Sequence, residues 1–537
     1  MTDLRGLFLR NLHGRASRRA RERMLKDLFS TETFEALIAK VVAHIRGKDS
    51  IPVGTTPTGE EISISLGILM ASAMVVGASG SGKTRFLLGI LQKLFVLAFS
   101  RSSGSRPGPR LEIELVDPKT ETFVLAKQIL AAMYLEADEG IRAAMRRSIR
   151  VIDWSREAVS PFAPYDNAAG LVSSPYMAHL RTDVMSQASA QTYTESLKQA
   201  LYMLSWLLVE KRFPPNLRFL TRLYSDAAFR ARVVDDIAEP DLRDYFLGLD
   251  RTLARQTSEA LIRRWQHDLS FPEVRLSVCI PPSDLDSLLP KGPVAITLGN
   301  YGAAMALPPG IGKERATHRI VDRILAAPRR NPSVPGWLVL EEAPRLLTGS
   351  SELTEPIADA ARTLRSVGLG ILFSGQDVQN ALPAPLVRTL LLNTRWWAIF
   401  RSNEEASWVY PHALLDDALA GLGEAERQRE FRRRMEALHQ RSGYLLAKGE
   451  RAIPFTALDV PDPRHGSLTG DALVEVFDKE IGLGSMVSAK VAADRIARWE
   501  ADVVGRADVP PTPKKVAPAF PGGIPDLLAH LGKKGKV

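Results

Sequence analysis

The chain has 537 residues, a formal net charge of +9 at pH 7 and one cysteine, Cys279. A single cysteine excludes an internal disulfide and a cysteine-based zinc knuckle, and this length predicts one large core with at least one further domain. The apolar runs are far shorter than the roughly 20 residues that cross a bilayer, and the basic start lacks the apolar segment of a signal peptide. We therefore expect a cytoplasmic protein with no transmembrane helix.

The positive charge is concentrated at the two ends of the chain. Residues 1–30 carry eight Arg and Lys against three Asp and Glu, and residues 514–537 carry five Lys against one Asp. These ends account for the whole net charge, so the body is formally neutral and bulk charge gives no evidence for a DNA channel there. Residues 15–30 predict a basic helix, which is either solvated or in contact with anionic lipid or a partner at the inner face of the membrane.

Apolar strands that alternate with helices predict an α/β fold with a parallel sheet. Residues 51–68 predict an extended, turn-rich lead-in, 69–77 a short apolar strand and 84–99 a helix. Further strands are predicted at 111–117, 148–154, 292–300, 336–342, 368–376 and 394–402. Residues 172–275 have a helical period and few strand-like runs, which predicts an all-α insert.

A glycine-rich loop lies between the strand predicted at 69–77 and the helix predicted at 84–99. Its sequence, GASGSGKT, fits the phosphate-binding pattern G-x-x-x-x-G-K-[ST]. In such a loop, backbone N–H groups surround phosphate oxygens, Lys83 contacts the β- and γ-phosphates and the Thr84 hydroxyl binds Mg²⁺. The predicted nucleotide-binding residues are Gly77, Ser79, Gly80, Ser81, Gly82, Lys83, Thr84 and Arg85, with ATP as the default nucleotide; the alternative is a chance match by a glycine-rich turn.

A second strand, predicted at 336–342, ends in two acids. Four apolar residues precede Glu341 and Glu342. We expect Glu341 beside Thr84, in the Mg²⁺ shell, and Glu342 polarising the attacking water. Glu341 stands where Asp is usual and is one methylene longer. The alternative is a helix N-terminus with two solvated acids.

Two further positions are candidates for the hydrolysis reaction. Gln376 ends the strand predicted at 368–376, where its amide can touch the γ-phosphate. Arg362 and Arg365 share one helix face, and in a ring such an arginine can reach the phosphate of the neighbouring subunit. The alternative is that these are surface arginines and a strand-end amide.

Three other features each allow a structural explanation. Asp117 and Lys119 either assist the nucleotide site or form a strand-ending turn. Residues 425–438 are rich in arginine and nearly balanced by acids, which favours a salt-bridged solvent face over a DNA-facing element. Trp396 and Trp397 are expected to pack in the core. The histidines are not spaced as metal ligands, so no zinc site is expected.

The order of these motifs resembles the HerA/FtsK branch of RecA-like ring ATPases, and within it the TraG/TraD-like coupling proteins of type IV secretion. The resemblance covers residues 50–460 and rests on IPVGTTPTGEEISI (51–64), LVDPKTE (115–121), RVIDWSREAVSPFAPYD (150–166), SGQDVQNAL (374–382) and LLLNTRWWAIFRSNEEAS (390–407). Arg365 falls where the group has its trans-acting arginine. The chain departs from the group at Ala163, where Asn is usual, at Glu341, and in lacking two N-terminal transmembrane helices.

The resemblance implies a RecA-like domain formed by 49–171 and 276–460, with the insert at 172–275. Residues 1–48 are then a basic helical segment, and 461–537 a helical segment with a flexible basic tail. It also implies a homohexamer that uses ATP and Mg²⁺ to move DNA, single- or double-stranded, through a ring pore, or to pass nucleoprotein to a secretion channel. The implied partners are the relaxosome or channel proteins.

Two other interpretations stay open at this point. The first is another motor of the same branch, in DNA-end processing, phage packaging or defence, or protein secretion. The second is an ATP-gated adaptor with weak hydrolysis, which the unusual Glu341 motivates.

Overall fold

The structure is a computed structural model. Apart from isolated positions, it describes residues 50–100, 111–153, 158–159, 217–250 without 236, 294–302, 334–347, 368–376, 384–402, 422–447, 452–482 and 487–506. The predicted basic helix at 15–30, the positions Ala163, Arg362 and Arg365, and the tail from 507 onward lie outside the described residues.

The described chain alternates strands and helices. The strands are β1 (Ser50–Thr55), β2 (Glu61–Ser65), β3 (Ala73–Val76), β4 (Leu111–Asp117), β5 (Ile149–Asp153), β6 (Ala158–Val159), β7 (Val294–Asn300), β8 (Gly336–Leu340), β9 (Leu369–Gly375), β10 (Trp396–Phe400), β11 (Ser442–Ala447), β12 (Ile453–Ala457), β13 (Arg464–His465), β14 (Leu468–Thr469) and β15 (Val487–Ser488). The helices are α1 (Leu66–Leu69), α2 (Lys83–Ser100), α3 (Glu121–Glu136), α4 (Glu139–Ser148), α5 (Leu217–Ser225), α6 (Ala227–Val234), α7 (Pro240–Leu247), α8 (Ala343–Leu347), α9 (Ala384–Asn393), α10 (Glu424–Glu436), α11 (Gly470–Glu480) and α12 (Ala489–Arg506).

Eleven of these strands form one sheet in the order β2-β1-β12-β11-β10-β3-β9-β8-β4-β7-β5. The seven strands from β10 to β5 are mutually parallel, and the other four extend one edge by antiparallel pairing. The predicted α/β class with a mostly parallel sheet is confirmed. Each strand predicted by its apolar run is present, because strands covered on both faces carry near-continuous apolar sequence.

The core lies on the faces of this sheet. All four residues of β3 and all five of β8 are buried. Helix α2 packs against the sheet through an almost fully buried surface, and α3 packs beside α2. Trp396 and Trp397 are buried on β10, as predicted.

Two details of the strand predictions are wrong. The strand predicted at 69–77 begins only at Ala73, because the preceding apolar residues form the one-turn helix α1. This turn buries Leu69 and Met70 and packs the Met70 carbonyl so closely on Gly370 that a Cβ there would lie 2.1 Å away. Periodicity alone does not separate a short buried helix from a strand. The antiparallel strands β11 and β12 were not predicted.

Three described helices, α5, α6 and α7, lie within the predicted insert. The buried Arg230 side chain donates to the carbonyls of Leu223 and Tyr224, each at 3.1 Å, and to both carboxylate oxygens of Asp250 at 2.7 Å. This buried guanidinium therefore links α6 to α5 and to the turn that follows α7. The domain boundaries stay a prediction. No helix in the described ranges is both long and apolar enough to cross a membrane.

Candidate functional site

The glycine-rich loop between β3 and α2 has a backbone that only glycine adopts easily. Gly80 and Gly82 have φ values of +71° and +106°, and a Cβ on Gly82 would lie 3.0 Å from the Cα of Arg441. The loop is held from both sides, because the Ala78 N–H donates to the Arg401 carbonyl at 2.7 Å and the Arg441 N–H donates to the Ser81 carbonyl at 2.8 Å. Its shape is therefore set by the end of β10 and by the turn before β11.

The loop forms one wall of a cavity of about 220 Å³. Its lining comprises Ala78, Ser79, Gly80, Gly82, Lys83, Thr84, Arg85, Lys119, Glu121, Thr122, Glu341, Glu342, Gln376 and Gln440. The structure thus brings Lys83 and Thr84 together with Glu341, Glu342 and Gln376. Two other predicted residues, Gly77 and Ser81, are buried behind this lining.

Lys83 begins α2 and is 5% exposed. Its ammonium lies 3.5 Å from the Ala78 carbonyl. Burial lowers the pKa of Lys83, and the charges of Glu342 and Glu341 oppose that change. A buried ammonium at a helix N-terminus is suited to bind an anion, since both its charge and the helix dipole favour one.

Glu341 follows β8 directly and is 3% exposed. The pKa of its carboxyl is raised from 4.5 to about 7, chiefly by burial and also by the charges of Asp117 and Glu342, while the Ser374 side chain and the charge of Lys83 oppose the rise. Its Oε2 atom is buried without a hydrogen-bond partner among the described residues. A buried carboxylate oxygen lacking a donor, on the same cavity as the Thr84 hydroxyl, is a donor set that fits Mg²⁺.

Glu342 holds a different position in the cavity. Its φ of +45° is unusual for a residue with a side chain, and its Oε1 accepts hydrogen bonds from the Lys119 ammonium and, at 3.0 Å, from the Gln376 amide. The strand-end amide predicted at Gln376 therefore touches the second acid.

Asp117 ends β4 and organises the turn that carries Lys119. The Asp117 carboxylate is fully buried and accepts from the N–H of Lys119 at 2.7 Å and of Phe123 at 2.9 Å. Burial raises the pKa of Asp117, and these backbone N–H groups oppose the rise. Both explanations given for this pair describe part of the geometry: Asp117 forms the strand-ending turn, and Lys119 reaches the cavity.

The turn before β11 contributes a wall of the cavity that was not predicted from the sequence. Gln440 lines the cavity, and Arg441, with a φ of +66°, contacts the glycine loop and pairs with Asp459 at 2.7 Å. Arg85 is likewise tied to Asp462 at 2.5 Å and to the Val460 carbonyl at 3.2 Å. The contacts of Arg441 with the glycine loop and of Arg85 with Val460 and Asp462 join residues more than 350 positions apart, and no local sequence pattern predicts them.

The arginine-rich helix α10 carries internal ion pairs. Arg433 and Arg434 both contact the Glu430 carboxylate, at 2.7 Å and 3.0 Å, and lower its pKa to about 2. This is the arrangement expected of a salt-bridged solvent face.

Comparison with solved structures finds a similar fold at low sequence identity. This chain is similar in structure to conjugative coupling proteins. VirB4 of Thermoanaerobacter pseudethanolicus is 14% identical, with 77% of this chain and 97% of that chain covered and a TM-score of 0.46. The bacterial conjugative coupling protein TrwBdeltaN70 is 14% identical, with 80% and 94% covered and a TM-score of 0.45.

A further TrwB structure, in complex with ADP and Mg²⁺, is 15% identical, with 79% of this chain and 94% of that chain covered and a TM-score of 0.44. A scan against protein-family models finds no match, and a search of curated proteins finds none either. The chemistry of the site therefore follows from this chain's own residues.

Proposed function

We propose that this chain hydrolyses ATP in the cavity between the glycine loop and β8, and that hydrolysis drives the movement of DNA or nucleoprotein. The observation that carries the proposal is the convergence of Lys83, Thr84, Glu341, Glu342 and Gln376 on one cavity. These groups come from two parallel strand ends, those of β8 and β9, and from the start of helix α2, and this set is what phosphoryl transfer to water requires.

Each of these residues has a distinct role in the proposed reaction. The loop N–H groups and Lys83 bind the phosphates, and Thr84 and Glu341 would hold Mg²⁺. When bound, Mg²⁺ neutralises charge on the phosphate oxygens. Glu342 accepts a proton from the attacking water at a carboxylate oxygen, and Gln376 orients that carboxylate through its 3.0 Å hydrogen bond. We assign to Arg365 the stabilisation of the neighbouring subunit's phosphate.

The cargo is proposed from the sequence resemblance alone. Conjugative coupling proteins imply a homohexameric ring, DNA in its pore, and a relaxosome or secretion channel as partner. Residues 1–30 would then supply a peripheral contact with anionic lipid at the inner membrane face. Membrane fractionation with and without these residues tests that contact, and an equal soluble fraction for both chains contradicts it.

The central experiment is an ATPase assay with and without DNA, together with mass photometry. We expect turnover that DNA stimulates, that Lys83→Ala abolishes and that Lys490→Ala leaves intact, because Lys490 is exposed on α12. A particle of six subunits is expected in the presence of nucleotide and DNA. Turnover that is equal with and without DNA would count against the translocase.

A second candidate function is an ATP-gated adaptor that binds nucleotide but hydrolyses it slowly. The raised pKa of Glu341 and the ion pair on Glu342 favour it. A protonated Glu341 is a poorer ligand for Mg²⁺, and a paired Glu342 is a poorer acceptor for a proton from water. Tight ATP binding with negligible turnover, even with DNA and partners present, would establish the adaptor. Another motor of the same branch, for instance one in DNA-end processing, would be recognised by a nuclease gene beside its own.

A further inference from the structure

We infer that Lys119 distinguishes nucleoside triphosphate from diphosphate: its ammonium leaves Glu342 for the terminal phosphate and thereby releases Glu342 to act on water. This inference rests on the proposed function and adds a residue and a step to it. The observation behind it is that one cation on the cavity wall neutralises the acid assigned to activate water.

The Glu342 carboxylate is engaged twice on a single oxygen. Lys119 and Gln376 both donate to Oε1, so this oxygen already faces two donors. A carboxylate bonded to an ammonium and an amide is a weaker acceptor for a proton from water. In the structure described here, Glu342 is therefore held in a resting arrangement.

Lys119 extends from a turn that is fixed at several points. The buried Asp117 carboxylate accepts the Lys119 N–H at 2.7 Å, and the Thr120 hydroxyl donates to Asn300 at 2.9 Å. Thr120 itself has a φ of +75°, so the turn occupies a conformation that tertiary contacts must maintain. The Lys119 backbone is therefore held in place, and movement of its ammonium falls to its flexible side chain.

A triphosphate brings the competing anion into the same cavity. Lys119 lines that cavity with Lys83 and Thr84, and about 30% of its side chain is exposed. A terminal phosphate carries more negative charge than a single carboxylate, and it offers three acceptor oxygens. A diphosphate lacks this group, so only a triphosphate should draw the ammonium away from Glu342.

The test measures binding of ADP and of a non-hydrolysable ATP analogue, both with Mg²⁺, to the full chain. We expect Lys119→Met to weaken the analogue on the order of tenfold or more, as for loss of a charge-assisted hydrogen bond, while ADP stays within about twofold. Lys119→Arg should retain most of the analogue affinity because it keeps the charge. Lys479→Met is the matched control, since Lys479 pairs with Glu475 on the exposed face of α11.

A second variant reports the exchange directly. Glu342→Gln removes the resting partner of Lys119, so it should tighten the analogue several-fold without changing ADP, and adding Lys119→Met should abolish that gain. Equal losses of ADP and analogue in Lys119→Met, or no loss of either, would overturn the inference while leaving nucleotide binding in place. A wild-type chain that binds neither nucleotide would instead refute the proposed function, and this inference with it.

Discussion

Lys93 offers a test of how the nucleotide domain is held together. It lies on α2, is 4% exposed, and its ammonium donates to the Pro52 carbonyl at 2.5 Å. That carbonyl lies at the irregularity in the pairing of β1 with β2, between Pro52 and Gly54. Burial lowers the pKa of Lys93 from 10.5 to about 7, and the charge of Glu61 opposes the change.

The sign of the resulting pH dependence follows from proton counts. Between pH 7 and pH 10.5 the unfolded chain holds a proton on Lys93 that the folded chain binds less tightly, so stability rises with pH. With the pKa values above, the free energy of unfolding should increase by roughly 3 kcal/mol between pH 7 and pH 9.5. Lys93→Met removes this titration while keeping an unbranched side chain of similar length.

The assay is urea denaturation of wild type and Lys93→Met at pH 7 and pH 9.5. At pH 7 we expect the variant to be the more stable chain. Its advantage in the free energy of unfolding is reduced by about 1–3 kcal/mol, the cost of leaving the Pro52 carbonyl without its donor. That advantage should disappear by pH 9.5. Lys490→Met, which removes an exposed lysine, should follow wild type at both pH values. A stability difference between Lys93→Met and wild type that does not change with pH would refute the reasoning.

Three further outcomes are expected. Because the pKa of Glu341 is raised from 4.5 to about 7, the stability it contributes is lost as pH rises through this window. In urea denaturation at pH 8, Glu341→Gln should therefore have a free energy of unfolding up to roughly 3 kcal/mol higher than wild type. The same variant should lose ATP hydrolysis. Gly82→Ala, at φ +106° and against Arg441, should weaken nucleotide binding on the order of tenfold, whereas Gly59→Ala, equally left-handed but in open space, should not; equal effects would contradict the loop argument. Arg433→Gln should leave the salt dependence of DNA binding unchanged, and a slope lowered by about one unit would reveal a phosphate contact.

The sequence predicted most strongly what depends on continuous apolar runs and on local spacing. The strand containing Trp337, the loop ending in Thr84 and the acids Glu341 and Glu342 are all recognisable without coordinates, because burial on both sheet faces demands apolar strands and phosphate binding demands glycines. The pairing of Lys119 with Glu342 was not foreseen. It joins residues 223 positions apart, and only the neighbouring places of β4 and β8 in the sheet bring them together.

The antiparallel edge illustrates the same limit. Strand β12 has only five residues and contains Pro454, and a proline inside a short run weakens its strand signal. Its position is decided by pairing with β1 and β11. Likewise, the wall formed by Gln440 depends on where β11 joins the sheet, which is a property of the assembled fold.

The strand order also constrains when during synthesis this protein acquires its binding cavity. The loop and α2 emerge early from the ribosome, but the wall at Gln440 and Arg441 follows more than 350 residues later. Strand β1 is separated from its neighbour β12 by a still longer stretch of chain, since Gly54 lies opposite Ala457. Such distant pairing makes folding slow, and a nascent chain ending before residue 440 carries a phosphate loop with one side still open. Bound nucleotide can therefore stabilise the folded cavity only after nearly all strands of the sheet have been synthesised.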